Sequence, residues 1–305
     1  MAALAEPLTM SKAEHTYHAD AYVLSANLEQ PLTDDVKPQA YVKLHEDGHY
    51  RYEPAERFRR KGIISYQSGY TQVAGHRSAK PGHGFTTLAT SVVEGLNVLD
   101  VVTADRVVGQ ISTTHPPYDP ANGLSDPVPS VTFLGTRFDN LRINGHKVEV
   151  ERHLDILGPK PANQKSYFDD FDDDGNDVDV LNRLAKQYDD IQHVVGLPAW
   201  AKESYKFDRA ATQQQGKAEC SLVSRVKGAP DISFGHVIDL PHFGKIFLGE
   251  LIVDRENGKP AASKDDPPKP DTYVFHLTMI RLEMGCLAQG KVKIVALDTN
   301  GRGHP

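Results

Sequence analysis

Apolar and polar residues alternate with a period of two along much of the chain. Val292, Ile294 and Ala296 alternate with Lys291, Lys293 and Val295, and Val148 and Val150 alternate with Lys147 and Glu149. That period marks an extended strand with one buried face. Around Met279 the phase slips: Phe275, Leu277 and Met279 share one parity, then Ile280, Leu282 and Met284 take the other. Such a slip predicts a β-bulge or a strand buried on both faces. Asp47-Gly48, Asn144-Gly145 and Asn257-Gly258 sit between strand-like runs. These dipeptides readily adopt the positive φ of tight turns, so each is a hairpin signal. Two longer apolar runs contain Gly95, Gly109, Gly235, Gly244 and Gly249, where glycine marks a bend or a close backbone approach.

Strand patterns recur from about His15 to Leu154 and again from about Ala218 to Leu297. Between them lies a segment of different period. Val178, Leu181, Leu184, Tyr188, Ile191 and Val194 are spaced by three and four residues, one face of an amphipathic helix. "PAWAKESYKFDRAATQQQ" adds one or two shorter helical pieces, with Pro198 near the start of the first. The pattern predicts a mainly β protein, an antiparallel sandwich or barrel, with a helical insertion over about 158–216. We read residues 1–13 as a flexible N-terminus and 14–305 as a single β domain around that insertion. Two proline-rich stretches, "THPPYDPANGLSDPVP" and "GKPAASKDDPPKPD", are expected to be exposed loops.

Composition narrows the function classes. The chain is 39% apolar and 25% charged, as in globular proteins with a sizeable core. Lysine and arginine total 34, aspartate and glutamate 41. Seven of those acids fall in "DDFDDDGNDVD", Asp169 to Asp179, and without them the charges balance at 34 against 34. No basic excess exists to neutralise phosphates, which argues against nucleic acid. No run reaches the roughly 18 consecutive apolar residues of a membrane helix. A secretory signal is not visible either, so the expected location is cytoplasmic. "MSKAEH" from Met10 reads as a natural start, with the preceding nine residues an extension or a misplaced start. Two cysteines, Cys220 and Cys286, are too few for a disulfide scaffold. They are expected as buried thiols, or as a pair if their strands are neighbours.

The aspartate cluster has two readings. Asp170, Asp172, Asp174 and Gly175 fit the opening of a calcium loop, and the Asn176 carbonyl supplies the next ligand. The pattern then departs: the twelfth position, a bidentate glutamate in such loops, is Leu181, and the eighth and ninth are Asp177 and Val178. The other reading is a solvated helix start, where carboxylates meet free N–H groups and the positive end of the dipole for about 0.3–1 kcal/mol each. Seven carboxylates this close repel one another, which is what keeps a cation in view.

Among the 14 histidines, His236, His242 and His276, with Asp239, are the candidates for an acid–base or zinc site across strands. His15, His18 and Asp20 form a poorer set, because strand residues three apart point to opposite faces. "RFRRKG", Arg57 to Gly62, is a short basic patch suited to a solvated turn or to an anion. The chain has no G-x-S-x-G, no G-x-x-x-x-G-K-[ST], no G-x-G-x-x-G after a strand and no H-E-x-x-H.

Four segments occur in the order "TSVVEGLNVLDVVTADRVVGQIS", "VTFLGTRFDNLRINGHKVEV", "IDLPHFGKIFLGEL" and "YVFHLTMIRLEMGCLAQGKVKIVAL". Their layout resembles that of bacterial choice-of-anchor P type proteins: a strand pair around a "TAD" step, a glycine-turn hairpin, an "LP…G" stretch and closing strands. The resemblance implies a β-rich, extracytoplasmic protein and brings no catalytic residues. This chain departs from it in its helical insertion and its lack of a visible signal peptide.

Two functions follow. The first is a non-enzymatic binding or structural module, self-associating or joining another protein through strand edges. The second is a hydrolase or isomerase of a small molecule or glycan, with its site at the mouth of the β domain under the insertion. A deep pocket in which these side chains converge separates the enzyme from the module. The calcium reading has its own check. A calcium loop raises the thermal unfolding midpoint in calcium over chelator, and the rise disappears when Asp170→Asn, Asp172→Asn and Asp174→Asn are combined. A solvated helix start leaves the midpoint unmoved.

Overall fold

A computed structural model describes residues 15–31, 33–79, 84–115, 128–158, 167–168, 180–256, 272–285 and 288–301. The first block of strands begins with β1 (His18–Gln30), β2 (Asp34–Gln39), β3 (Val42–Lys43), β4 (His49–Ala55), β5 (Phe58–Arg60) and β6 (Ile64–Tyr66). It continues with β7 (Ser68–Arg77), β8 (Phe85–Val98), β9 (Val102–His115), β10 (Ser130–Thr132) and β11 (Arg137–Asp139). β12 (Arg142–Ile143), β13 (His146–Lys147) and β14 (Glu149–Arg152) complete it. Three helices follow, α1 (Val180–Gln192), α2 (Ala199–Ser204) and α3 (Arg209–Gln215). The second block is β15 (Lys217–Ser221), β16 (Val223–Lys227), β17 (Ile232–Phe234) and β18 (Val237–Leu240), then β19 (Gly244–Glu256), β20 (Thr272–Gly285) and β21 (Gln289–Gly301).

The chain is mainly β, as the alternation predicts. One antiparallel sheet runs β17-β18-β19-β20-β21-β1-β2, with β15 added on β19 and β3 on β1. The other runs β13-β12-β9-β8-β6-β5, with β7 on β8, β4 on β7, and β10 and β11 on β9. β14 and β16 form a separate pair. The two large sheets pack face to face. One buried core joins Ala21, Leu277 and Leu297 of the first to Ala89, Val93, Val107 and Ile111 of the second. It draws on both strand blocks, and the first long strand, β1, lies beside the last, β21.

The phase slip at Met279 has a wider cause than a bulge in one strand. Pairing stays in register through it: Leu248↔Ile280 and Glu250↔Thr278 on one side, Ile280↔Ile294 and Thr278↔Ala296 on the other, then Ala296↔Tyr22 and Ile294↔Leu24. Four adjacent strands therefore change parity together. Each carries two consecutive buried residues there: Leu248 and Gly249, Met279 and Ile280, Ile294 and Val295, Val23 and Leu24. Left-handed φ at Gly249 (63°) and Val295 (54°) takes up the turn of the backbone. Opposite this row sits Gly109 of β9. A Cβ there would lie 2.5 Å from Leu297 Cδ1, 2.7 Å from Val295 Cγ1 and 3.0 Å from Met279 Cγ, so the sheets touch where the second has no side chain.

Turn chemistry is right where the turn is local. Ile143 pairs His146 across Asn144 (φ 50°) and Gly145 (φ 79°), a two-residue hairpin. Asp47-Gly48 corrects the expectation of a hairpin between its flanking runs. The turn is tight, with Gly48 N–H donating to His45 O at 2.9 Å, but β3 before it pairs β1 and β4 after it pairs β7. It carries the chain between sheets. β19 and β20 are partners, Glu256 opposite Thr272, and Asn257-Gly258 between them lies outside the described residues. So do nearly all of both proline-rich stretches, Cys286, and the calcium candidates Asp170, Asp172, Asp174 and Asn176. Part of the basic patch is matched inside the chain: Arg60 donates to Asp34 from Nε (2.5 Å) and Nη2 (2.8 Å) and holds that carboxyl down at about 2.

α1 buries Val180, Leu181, Leu184, Gln187 and Ile191, close to the predicted face. Gln187 is the polar exception and it is satisfied: its amide donates to Ser221 O and accepts from Ser221 N–H, both at 2.9 Å. That exchange docks the helix on β15. Ile191, Leu197 and Ala201 close a second small core with Phe234, Val237 and Phe247, which seats α1 and α2 on the first sheet. Among the described residues no helix is long and apolar enough to cross a membrane.

Gly109→Val forces a branched side chain into the contact between sheets. We expect a loss of about 1–3 kcal/mol, read from the urea midpoint of unfolding.

Candidate functional site

In an antiparallel pair, residues directly opposite share a face. The register therefore gives the outer face of the first sheet as rows. One row is Glu219, Ile252, His276, Asp298, Asp20 and Lys43; the next is Ser221, Glu250, Thr278, Ala296 and Tyr22. Beyond the parity change come Phe247, Arg281 and Lys293, and then Asp239, Lys245, Glu283 and Lys291. Without that change Arg281 and Glu283 would point into the sandwich. With it, charged side chains cover the face, and α1 and α2 roof part of it. The space between is a cavity of about 640 Å³, lined among others by His236, His276, Asp298, Arg281, Lys245 and Trp200.

At one end His276 is held between carboxylates. Its Nδ1 lies 2.5 Å from Asp298 Oδ1 and its Nε2 lies 3.6 Å from Asp254 Oδ2. The hydrogen bond to Asp298 raises the imidazole pKa above its usual range, and the charges of Asp298, Asp254 and Asp20 add to it. Burial, then the neighbouring Asp298 carboxylate, pushes Asp20 up to about 7. Asp298 thus accepts from the His276 Nδ1–H, and from Asp20 whenever that carboxyl holds its proton.

At the other end Arg281 is engaged through three of its five N–H donors. Nε and Nη2 donate to the two oxygens of Glu250 at 2.6 and 2.7 Å, Nη1 donates to Glu283 at 2.5 Å, and Cζ sits 3.7 Å from the Phe247 ring centroid. Lys245 Nζ lies 3.8 Å from the centroid of Trp200, whose Nε1–H donates to Asp239 at 3.0 Å. His236 is 4% exposed, and burial takes it down to about 3, so it is a neutral imidazole. Its Nε2 meets the Tyr205 hydroxyl at 3.2 Å. Burial likewise raises the Tyr205 and Tyr188 phenols, and pushes the Cys220 thiol up to about 12.

Of the four sequence candidates, His236 and His276 line the cavity and Asp239 anchors its tryptophan. His242 does not join them: it is exposed, at φ 65°, in the turn between β18 and β19. Among the described residues no group of three or more histidine, cysteine, aspartate or glutamate side chains is arranged to hold a metal ion. Asp254, Asp298, Arg281, Lys245, Glu250 and Trp200 are site residues that pattern reading misses. For the five on strands the signal was the polar parity of β19, β20 and β21, which register turns into one surface.

Residues 15–254 match the family described as Domain of unknown function (DUF8256). The chain belongs to that family. No curated protein and no solved structure matches the chain. The DUF8256 match ends within β19, so it takes in Lys245, Glu250 and Asp254 and leaves His276, Arg281 and Asp298 beyond its limit. It carries no link to choice-of-anchor P type proteins.

Because the folded chain raises the Asp20 pKa, this group's stabilising contribution is complete below the usual carboxylate value of about 4 and is lost as pH rises through about 7. Asp20→Asn keeps an uncharged donor toward Asp298. We expect it to raise the thermal midpoint by a few degrees above about pH 8 and to change little near pH 4, measured by calorimetry across that range.

Proposed function

We propose that this chain is an enzyme, a hydrolase or isomerase that moves protons on a small molecule bound between the first sheet and the helical insertion. The observation that carries the reading is His276, fixed through Nδ1 by Asp298 in a cavity wall with Nε2 turned toward Asp254. A cavity of about 640 Å³ is of the size that small-molecule sites have. His276 is the acid–base group. The hydrogen bond to Asp298 shifts its pKa upward and so favours the protonated imidazole, the form that gives a proton from Nε2 to a substrate oxygen or nitrogen and then takes one back. Asp298 is a positioning residue: it selects the tautomer and stabilises the imidazolium. Asp20 acts through Asp298, and Asp254 faces the proton-donating nitrogen.

Partner binding through strand edges has less behind it. β4 pairs only β7 among the described residues and exposes Tyr50 (60%) and Tyr52 (49%), but Pro54 removes one of its N–H donors.

The test is a panel of small esters, lactones, glycosides and enolisable ketones, assayed with wild-type protein. Turnover of at least one member is expected. His276→Gln should lower it by about 10²–10⁴-fold, and Asp298→Asn should lower it while shifting the pH profile. Turnover indifferent to His276→Gln, or none across the panel, overturns the reading.

A further inference from the structure

The Arg281 end of the cavity says what kind of molecule fits it, an inference that rests on reading the cavity as a small-molecule site. We propose that Arg281 is a stacking platform, and that the ligand carries a planar ring with an anionic substituent.

An arginine in a binding site commonly aims its planar fork of N–H donors at an anion. Arg281 has little fork left to aim. Three donors go to Glu250 and Glu283, and one face of the guanidinium lies on Phe247. Yet the side chain keeps 23% of its surface exposed and lines the cavity. What such a group offers is the opposite face of its plane, and guanidinium planes stack on aromatic rings. Held at its edges and behind, this one loses little rotamer freedom when a ring lands on it.

The charges nearby favour an anion on that ring. Glu250 and Glu283 outweigh Arg281 by one negative charge, but Lys245 and Lys293 also line this end. Among the described residues neither lysine makes an ion pair. Lys245 lies over the Trp200 ring, with Asp239, which receives the indole N–H, and Glu283 opposite it in register. Two lysines without an ion pair among the described residues therefore flank the platform, with Asp239 on the far side of Lys245.

Position links the platform to His276. Arg281 reaches back to Glu250, which stands opposite Thr278, two residues from His276. Two strand residues span about 7 Å. A ring on the guanidinium thus brings a substituent within one small molecule's length of His276 Nε2.

Trp200 is the only tryptophan in the chain, so its emission reports this cavity alone. The probes are benzoate, cyclohexanecarboxylate and benzamide: a planar anion, a puckered anion and a planar neutral molecule of similar size. Benzoate should perturb Trp200 emission saturably, with the other two about tenfold weaker. Arg281→Lys keeps the charge and removes the plane, and should bring benzoate down to cyclohexanecarboxylate. Should that variant fail to fold, the comparison of the two acids on wild type still decides. Equal binding of the two acids overturns the stacking and leaves the site reading intact, as benzamide equal to benzoate overturns the anion. If none of the three binds, the proposal falls, and the turnover panel, which does not use Trp200, decides separately whether the site reading falls with it.

Discussion

Four strands turning over in step is the constraint on which the rest of the molecule depends. A single strand that changed parity would expose apolar side chains on one face and bury charged ones on the other, at a cost of several kcal/mol per charge. Here β1, β19, β20 and β21 change together, so the inner face stays apolar on both sides of the row and the outer face stays polar. The backbone takes up the change at Gly249 and at Val295, a β-branched residue held in a conformation such residues rarely adopt. Gly109 on the facing sheet leaves the room. The sandwich and the cavity are two sides of that one row.

The charges on the outer face are a poor device for stability. Pairing ions under a roof of helices recovers what desolvation removes only when geometry is close, and apolar residues of similar size commonly do as well. The Arg281 constellation is close, with three charge-assisted bonds at 2.5–2.7 Å. Around His276 three acids meet one base, and burial with the Asp298 charge pushes Asp20 toward its protonated form. A sheet face selected for stability alone would carry fewer acids there.

Much of the fold was legible because it is local. Alternation marked the strands, spacings of three and four marked α1, and Asn144-Gly145 marked its hairpin. The parity slip at Met279 was visible too, but one strand cannot reveal that its neighbours slip with it. Asp47-Gly48 misled for a related reason: dipeptide chemistry fixes the turn and says nothing about which sheet the next strand joins. The site was legible in part. His236, Asp239 and His276 stand out as residue types, whereas Asp298 and Asp254 become their neighbours only through register. Arg281 looked like an ordinary outward residue, since nothing in "TMIRLEMG" shows Glu250 waiting beside it.

The pairing of β1 with β21 sets an order of events. Closing the long loop between them costs entropy before any contact repays it, and sheets built on such contacts form slowly. As the chain leaves the ribosome, β1 emerges well before β21, so the edge that β21 covers stays open until that strand is made. Asp20 waits with it, an ordinary ionised surface acid until Asp298 arrives and the shared proton has somewhere to sit. The proton-handling cluster therefore forms only once β21 is made, and a ribosome that stops before β21 leaves β1 without its partner and His276 without Asp298.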